Sequence, residues 1–167
     1  MKEVRFDNRP FTLAGTEKKV GDKAPTFNVV SQAMEDTSSD QFNGKIRIIS
    51  VFPSVDTPVC SRQNKRFNKE AAALGDDVAI ISISTDLPFA QKRFCDVEGI
   101  KNAFVYSDYQ SLDFGMKYGF VIEQLRLLTR GVVVIDKTGV IRHIEYVLDN
   151  AEEVDYEKAL ETVKSLQ

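Results

Sequence analysis

The sequence has no tryptophan, one histidine and two cysteines in 167 residues. Each scarcity removes a class of chemistry. A structural zinc site takes four Cys or His ligands, usually in closely spaced pairs, and His143, Cys60 and Cys95 cannot supply one. A Cys–His or Ser–His hydrolase would have to use His143, the only imidazole. The nine glycines are scattered and open neither a P-loop nor a dinucleotide fingerprint. No apolar run approaches the ~20 residues of a membrane-spanning helix. Charge is nearly balanced, 22 basic against 25 acidic residues for a net of -3. Neither nucleic acid nor an anionic membrane is therefore expected as a partner. Residues Met1 to Asp7 carry acids and lack the apolar segment of a secretory signal, so the sequence predicts a cytoplasmic protein.

What is present is a globular composition, 43% hydrophobic and 28% charged with only five prolines. There are no repeats, charge blocks or linker-like stretches, so one domain spanning residues 1–167 is expected, with a core of useful size. Val4–Phe6 and Phe11–Leu13 flank Asp7-Asn8-Arg9-Pro10 and predict an N-terminal hairpin extension over residues 1–15. Phe27–Val30 and Ile46–Phe52 read as strands. Thr57-Pro58 places a capping residue before a proline at the first helical position. That helix should run to Leu74, with Phe67, Ala71 and Leu74 inward, and stop at Gly75. Val78–Ser84 is a branched, buried-looking strand. A second helix follows Pro88, with Phe89, Ala90, Phe94 and Val97 expected on its inner face. Phe104–Tyr106 predicts a short strand and Leu112–Tyr118 a short helix. Arg130–Ile135 and Val140–Leu148 form a hairpin across Lys137-Thr138-Gly139, and Ala159, Leu160, Val163 and Leu166 mark an amphipathic last helix. Alternating strands and helices closed by an antiparallel hairpin imply an α/β protein with a central mixed β-sheet flanked by helices, for which a thioredoxin-like fold is the natural choice.

Cys60 lies between a buried strand and the first turn of a helix. Helix N-termini carry unpaired N–H groups and partial positive charge, which favour a thiolate. A cysteine with pKa about 8.5 is only about 3% thiolate at pH 7, and one near 6 is about 90% thiolate. The gain is about 30-fold, small beside the ~10⁶ or more of enzymatic catalysis. A fast enzyme built on this thiol must also stabilise charge on a leaving oxygen. Thr57, a backbone amide and a buried arginine are the groups to look for. An inert packing role is the usual fate of such a cysteine, but a position three residues past a capping threonine, with Pro53 and Pro58 nearby, exceeds what packing needs.

Pro53-x-x-x-Thr57-x-x-Cys60 matches the PxxxT/SxxC signature, and Val20-Gly21-Asp22-Lys23-Ala24-Pro25-x-Phe27 its usual lead-in. With SVDTPVCSRQ around Cys60 and DLPFAQKRFC ending at Cys95, the chain resembles the thiol peroxidase subfamily of the peroxiredoxins, the atypical two-cysteine type. The likeness runs from Asn8-Arg9-Pro10-Phe11 through the terminal helix. It implies that Cys60 is the peroxidatic cysteine and that the Thr57 hydroxyl contacts thiolate and peroxide. Pro53 would shield the sulfur from water, and Arg130 would pair with the thiolate and polarise the peroxide. Cys95 would be the resolving cysteine, forming a Cys60–Cys95 disulfide. A resolving thiol needs no strongly lowered pKa, because the sulfenic acid it meets is already electrophilic. The resemblance further implies reduction of hydrogen peroxide and organic (alkyl or lipid) hydroperoxides, recycling by thioredoxin, a homodimer, a role in antioxidant defence and redox homeostasis, and no cofactor or metal. Gly131 departs from the Ala or Ser expected beside Arg130, and should loosen the strand start.

Two other readings stand beside this one. A non-enzymatic redox sensor or holdase would not require Pro53, Thr57 and Arg130 around Cys60. A thiol–disulfide oxidoreductase would need a C-x-x-C motif, which is absent, and a late strand-preceding proline, whereas no proline follows residue 88. His143 reads as a surface or satisfied histidine. Glu152, Glu153, Asp155 and Glu157 read as solvated or helix-start acids. Phe42, Phe89, Leu125, Leu127 and Leu128 could line an apolar entrance, although core packing accounts for most of them.

Overall fold

A computed structural model describes residues 2–167; Met1, the first residue of the expected domain and hairpin, lies outside the described residues. The chain forms β1 (Glu3–Phe6), β2 (Arg9–Ala14), β3 (Asn28–Val30), β4 (Asp36–Ser38), β5 (Ile46–Val51), α1 (Pro58–Leu74), β6 (Val78–Ser84), α2 (Pro88–Glu98), β7 (Phe104–Ser107), α3 (Asp113–Tyr118), β8 (Val121–Ile122), β9 (Leu127–Leu128), β10 (Gly131–Ile135), β11 (Ile141–Tyr146) and α4 (Tyr156–Leu166). A seven-stranded sheet runs β11-β10-β5-β6-β7-β3-β4. Its centre, β5-β6-β7, is parallel, and β10, β11, β3 and β4 join antiparallel. This is the thioredoxin-like α/β architecture.

Side-chain alternation on the central strands builds two cores. Ile46 and Ile48 of β5, Ile80 of β6, and Val132 and Val134 of β10 pack with Phe67 and Leu74 of α1 and Leu160 and Val163 of α4. Ile49, Val51, Ile81, Ile83, Val133 and Ile135 point to the other face, against Phe114 and Tyr118 of α3. Burial on both faces explains why these strands read as unbroken apolar runs. The β1–β2 hairpin turns through Asp7 and Asn8, both left-handed (φ 51° and 63°), as a two-residue turn requires. β2 continues into a small sheet with β8 and β9. Pro10 is tolerated in β2 because the β8 pairing covers only Leu13 and Ala14.

Several expectations change. On α2, Phe89 and Val97 are exposed (68% and 76%), and Pro88, Gln91 and Cys95 are buried instead. The inward Gln91 is half satisfied: its Nε2 donates to Ser84 Oγ (3.1 Å) and to the Tyr106 carbonyl (2.7 Å), while its Oε1 has no partner among the described residues. Gly131 does not loosen β10. It pairs with Val51 on one side and Tyr146 on the other, and a Cβ there would run into the Glu145 carbonyl and the Phe120 ring. His143 is buried with Nε2 unpartnered, so it is neither surface-exposed nor satisfied. Phe42 and Leu128 are core residues. Strands β4, β8 and β9 carry no legible period at two or three residues each.

Candidate active site

β5 delivers the chain to a loop, Phe52–Thr57, from which α1 springs. Thr57 caps α1 in extended conformation (φ -99°, ψ 144°), its Oγ1 accepting from the Cys60 N–H at 3.3 Å, and Pro58 takes the first helical position. Cys60 thus sits at the third position of a seventeen-residue helix with no acid in its first turn. The sulfur is completely buried, packed with Phe52 and Val55.

Arg130 immediately precedes β10, beside β5 in the sheet, and is 1% exposed. Its Nη1 donates to Cys60 Sγ (3.3 Å) and to Gln63 Oε1 (2.9 Å), and its Nη2 to the Asn150 carbonyl (3.0 Å). Its Nε has no partner among the described residues. A fully buried guanidinium needs such fixed acceptors. Gln63 is itself immobilised, donating to Ser50 Oγ (2.8 Å) and to the Val51 carbonyl (3.1 Å). Asn150 is anchored by the N-terminal hairpin: its N–H donates to the Arg5 carbonyl (3.0 Å), and its Oδ1 accepts from the Asp7 N–H (3.1 Å). The hairpin therefore reaches the guanidinium through one residue.

A pocket of about 290 Å³ leads to this centre, lined by Pro53, Thr57, Pro58, Val59, Arg130 and the hairpin tip Phe6-Asp7. The structure brings together Pro53, Thr57, Cys60 and Arg130. Phe42, Phe89, Leu125, Leu127 and Leu128 do not line the pocket. Gln63 and Asn150 escaped sequence reasoning. Gln63 left a trace, a polar residue one helical turn past Cys60 on the buried face that continues at Phe67; the Asn150 carbonyl left none. Asp86 was also overlooked. Its carboxylate accepts from Ser54 Oγ (2.7 Å), the Val55 N–H (2.9 Å) and Ser84 Oγ (2.6 Å), tying the cysteine loop to the approach to α2.

Cys95 lies apart from this cluster, in α2. It is 8% exposed, in a small core with Ile100 and Val105, and its Sγ accepts from Gln32 Nε2 at 3.4 Å. Burial pushes its thiol pKa up, partly offset by the Gln32 hydrogen bond. The Phe94 ring packs against the Cys60 cluster and the Cys95 cluster alike. Both cysteines are free.

A buried thiol in the first turn of a helix, held against a guanidinium with a small pocket beside it, is built for a nucleophile meeting a small polar substrate. No group of three or more possible metal ligands occurs among the described residues. The Redoxin family model matches residues 19–160. The chain is 48% identical over 164 residues to a thiol peroxidase of Listeria monocytogenes serotype 4b, covering 98% of this chain and 99% of that one. It is 46% identical over 166 residues to a thiol peroxidase of Bacillus subtilis strain 168, covering 99% of each. Among solved structures, a peroxiredoxin-like protein from Aquifex aeolicus superposes with a TM-score of 0.92 at 37% identity, covering 100% of this chain and 98% of that one. A thiol peroxidase from Chromobacterium violaceum superposes at 0.86 with 18% identity, covering 98% and 95%, and attests the fold alone.

Proposed function

The chain belongs to the Redoxin family, among the thiol peroxidases, and we propose that this thiol-dependent peroxidase reduces hydrogen peroxide and organic hydroperoxides through Cys60. The Cys60 thiolate attacks one peroxide oxygen and the O–O bond breaks. The other oxygen leaves with a proton as water or alcohol, and Cys60 is oxidised by two electrons to a sulfenic acid. The Cys95 thiol displaces that hydroxyl as water, forming a Cys60–Cys95 disulfide. A dithiol donor of the thioredoxin kind then supplies two electrons and restores both thiols.

One observation carries the reading: the buried Arg130 guanidinium, fixed by Gln63 and Asn150, donates to Cys60 Sγ. That arrangement places a preorganised cation beside the sulfur and beside the oxygen that must leave. Thr57 orients the helix turn, and Pro53, buried at the pocket wall, keeps water from the sulfur. No step calls on a cofactor or a metal. No helix among the described residues is long and apolar enough to cross a membrane. The same reading makes the protein a cytoplasmic, single-domain homodimer serving antioxidant defence. The deciding experiment is hydroperoxide consumption coupled to a thioredoxin system, wild type against Cys60→Ser. Turnover should vanish in the variant, and appreciable activity there would overturn the assignment.

A further inference from the structure

A second cavity, of about 380 Å³, lies at the N-terminal end of β5, away from the end that leads to Cys60. Ile49, Ile81 and Ile135 line it from the sheet, and Lys23, Arg47 and Lys137 supply its charge; no Asp or Glu contributes to its wall. Its volume falls in the usual range for small-molecule sites, ~300–1,000 Å³.

Arg47 is the unusual member. Strand alternation puts it on the face of Ile49 and Val51, where the packing calls for an aliphatic residue. It is only 6% exposed. Its guanidinium donates to two carbonyl oxygens, Nε to Lys45 (3.2 Å) and Nη2 to Asp136 (3.0 Å), and Nη1 has no protein acceptor. It makes no ion pair among the described residues. The Asp136 carboxylate is occupied elsewhere, accepting from the Thr138 N–H, the Val140 N–H and Arg142 Nε. Burial accordingly pushes the Arg47 pKa down, with Tyr118 and Asp136 only partly offsetting it. Lys23 has no ion-pair partner among the described residues, and Lys137 reaches Asp77 only at 3.5 Å. A buried cation without a counter-ion is costly, and here an open donor meets a cavity whose lining is mostly polar, with isoleucines behind it.

We propose that this cavity binds a small organic carboxylate, with the carboxylate on Arg47 and the apolar body against Ile49, Ile81 and Ile135. Bidentate pairing suits a planar guanidinium with a free N–H edge. The site is independent of the peroxide chemistry, and its ligand need be neither oxidant nor reductant.

The test uses the reduced full-length protein, with hexanoate, benzoate and inorganic phosphate as probes in calorimetric titration and amide NMR mapping. Hexanoate or benzoate should bind saturably and shift the amides of Thr26, Gly44, Thr138 and Gly139 around the cavity. Arg47→Met should weaken binding about tenfold or more, the loss expected for one charge-assisted pair. Lys23→Glu, a change at an exposed residue, should weaken it severalfold and keeps the test decisive if Arg47→Met fails to fold. Absence of saturable carboxylate binding would overturn the proposal. So would phosphate binding without carboxylate binding, or carboxylate binding unaffected by Lys23→Glu with amide shifts elsewhere.

Discussion

The two cysteines occupy helices of opposite character. Cys60 is in the first turn of a capped, seventeen-residue helix, against a guanidinium with three fixed acceptors. Cys95 is near the end of an eleven-residue helix whose capping position, Leu87, makes no side-chain hydrogen bond. That second helix exposes Leu87, Phe89 and Val97, and its cysteine contacts one amide and no cation. One sulfur is prepared to react where it stands. The other lies in a helix that has less holding it in place, which suits the resolving role proposed for it.

The contrast is broken most completely at Cys60. Cys60→Ser should abolish peroxide turnover with the fold intact, since serine offers no comparable nucleophile at neutral pH; coupled peroxidase assay and circular dichroism check both halves. Cys95→Ser should consume about one peroxide per chain and then stall with thioredoxin as donor, its first attack unimpaired. Stopped-flow and steady-state assays separate the two phases, and undiminished multiple turnover would remove Cys95 from the cycle. Arg130→Ala should slow peroxide attack by about 10²-fold, the usual loss for one preorganised charge donor. A loss in kcat/KM for peroxide of only about tenfold or less would make the arginine structural.

A gentler change sharpens the comparison instead. Leu87→Asp gives the second helix the side-chain cap it lacks and should stabilise it by about 1 kcal/mol. If that helix must unwind to close the disulfide, closure after peroxide addition should slow about fivefold, while attack on peroxide is untouched. Quenched-flow trapping of free thiols reads the closure step. The smallest effect is a pH dependence. Burial raises the Cys95 pKa, so the unfolded chain releases that proton first as pH rises. The contribution to stability of the reduced protein is full below the ordinary thiol value of 9.0 and is lost as pH climbs through the raised value. Urea midpoints between pH 8 and 10.5 should therefore fall more steeply for wild type than for Cys95→Ala.

How much of this was legible in the sequence depends on the range of each interaction. Thr57, Pro58 and Cys60 announce their geometry because a cap and a first turn are made within four residues. The central strands were equally plain, since strands buried on both faces must be apolar throughout. The face of α2 differs from the sequence expectation because a Gln91 whose Nε2 finds two acceptors can occupy the inside while Phe89 and Val97 stay outside. Gly131 seemed a weak point only until Phe120 and the Glu145 carbonyl were seen against it.

The sequence by itself determined the helix that carries Cys60, its cap and the central strands, because these rest on local sterics and on hydrophobic periodicity. Arg130 was placed beside Cys60 only by family likeness, and its supports, Gln63 and the Asn150 carbonyl, were not foreseen. Their meeting required β10 to lie against β5 and the hairpin to hold Asn150. Those contacts join groups as many as 143 positions apart. Which distant groups meet is decided by sheet order and by packing of the whole chain, and no local pattern of residues encodes it.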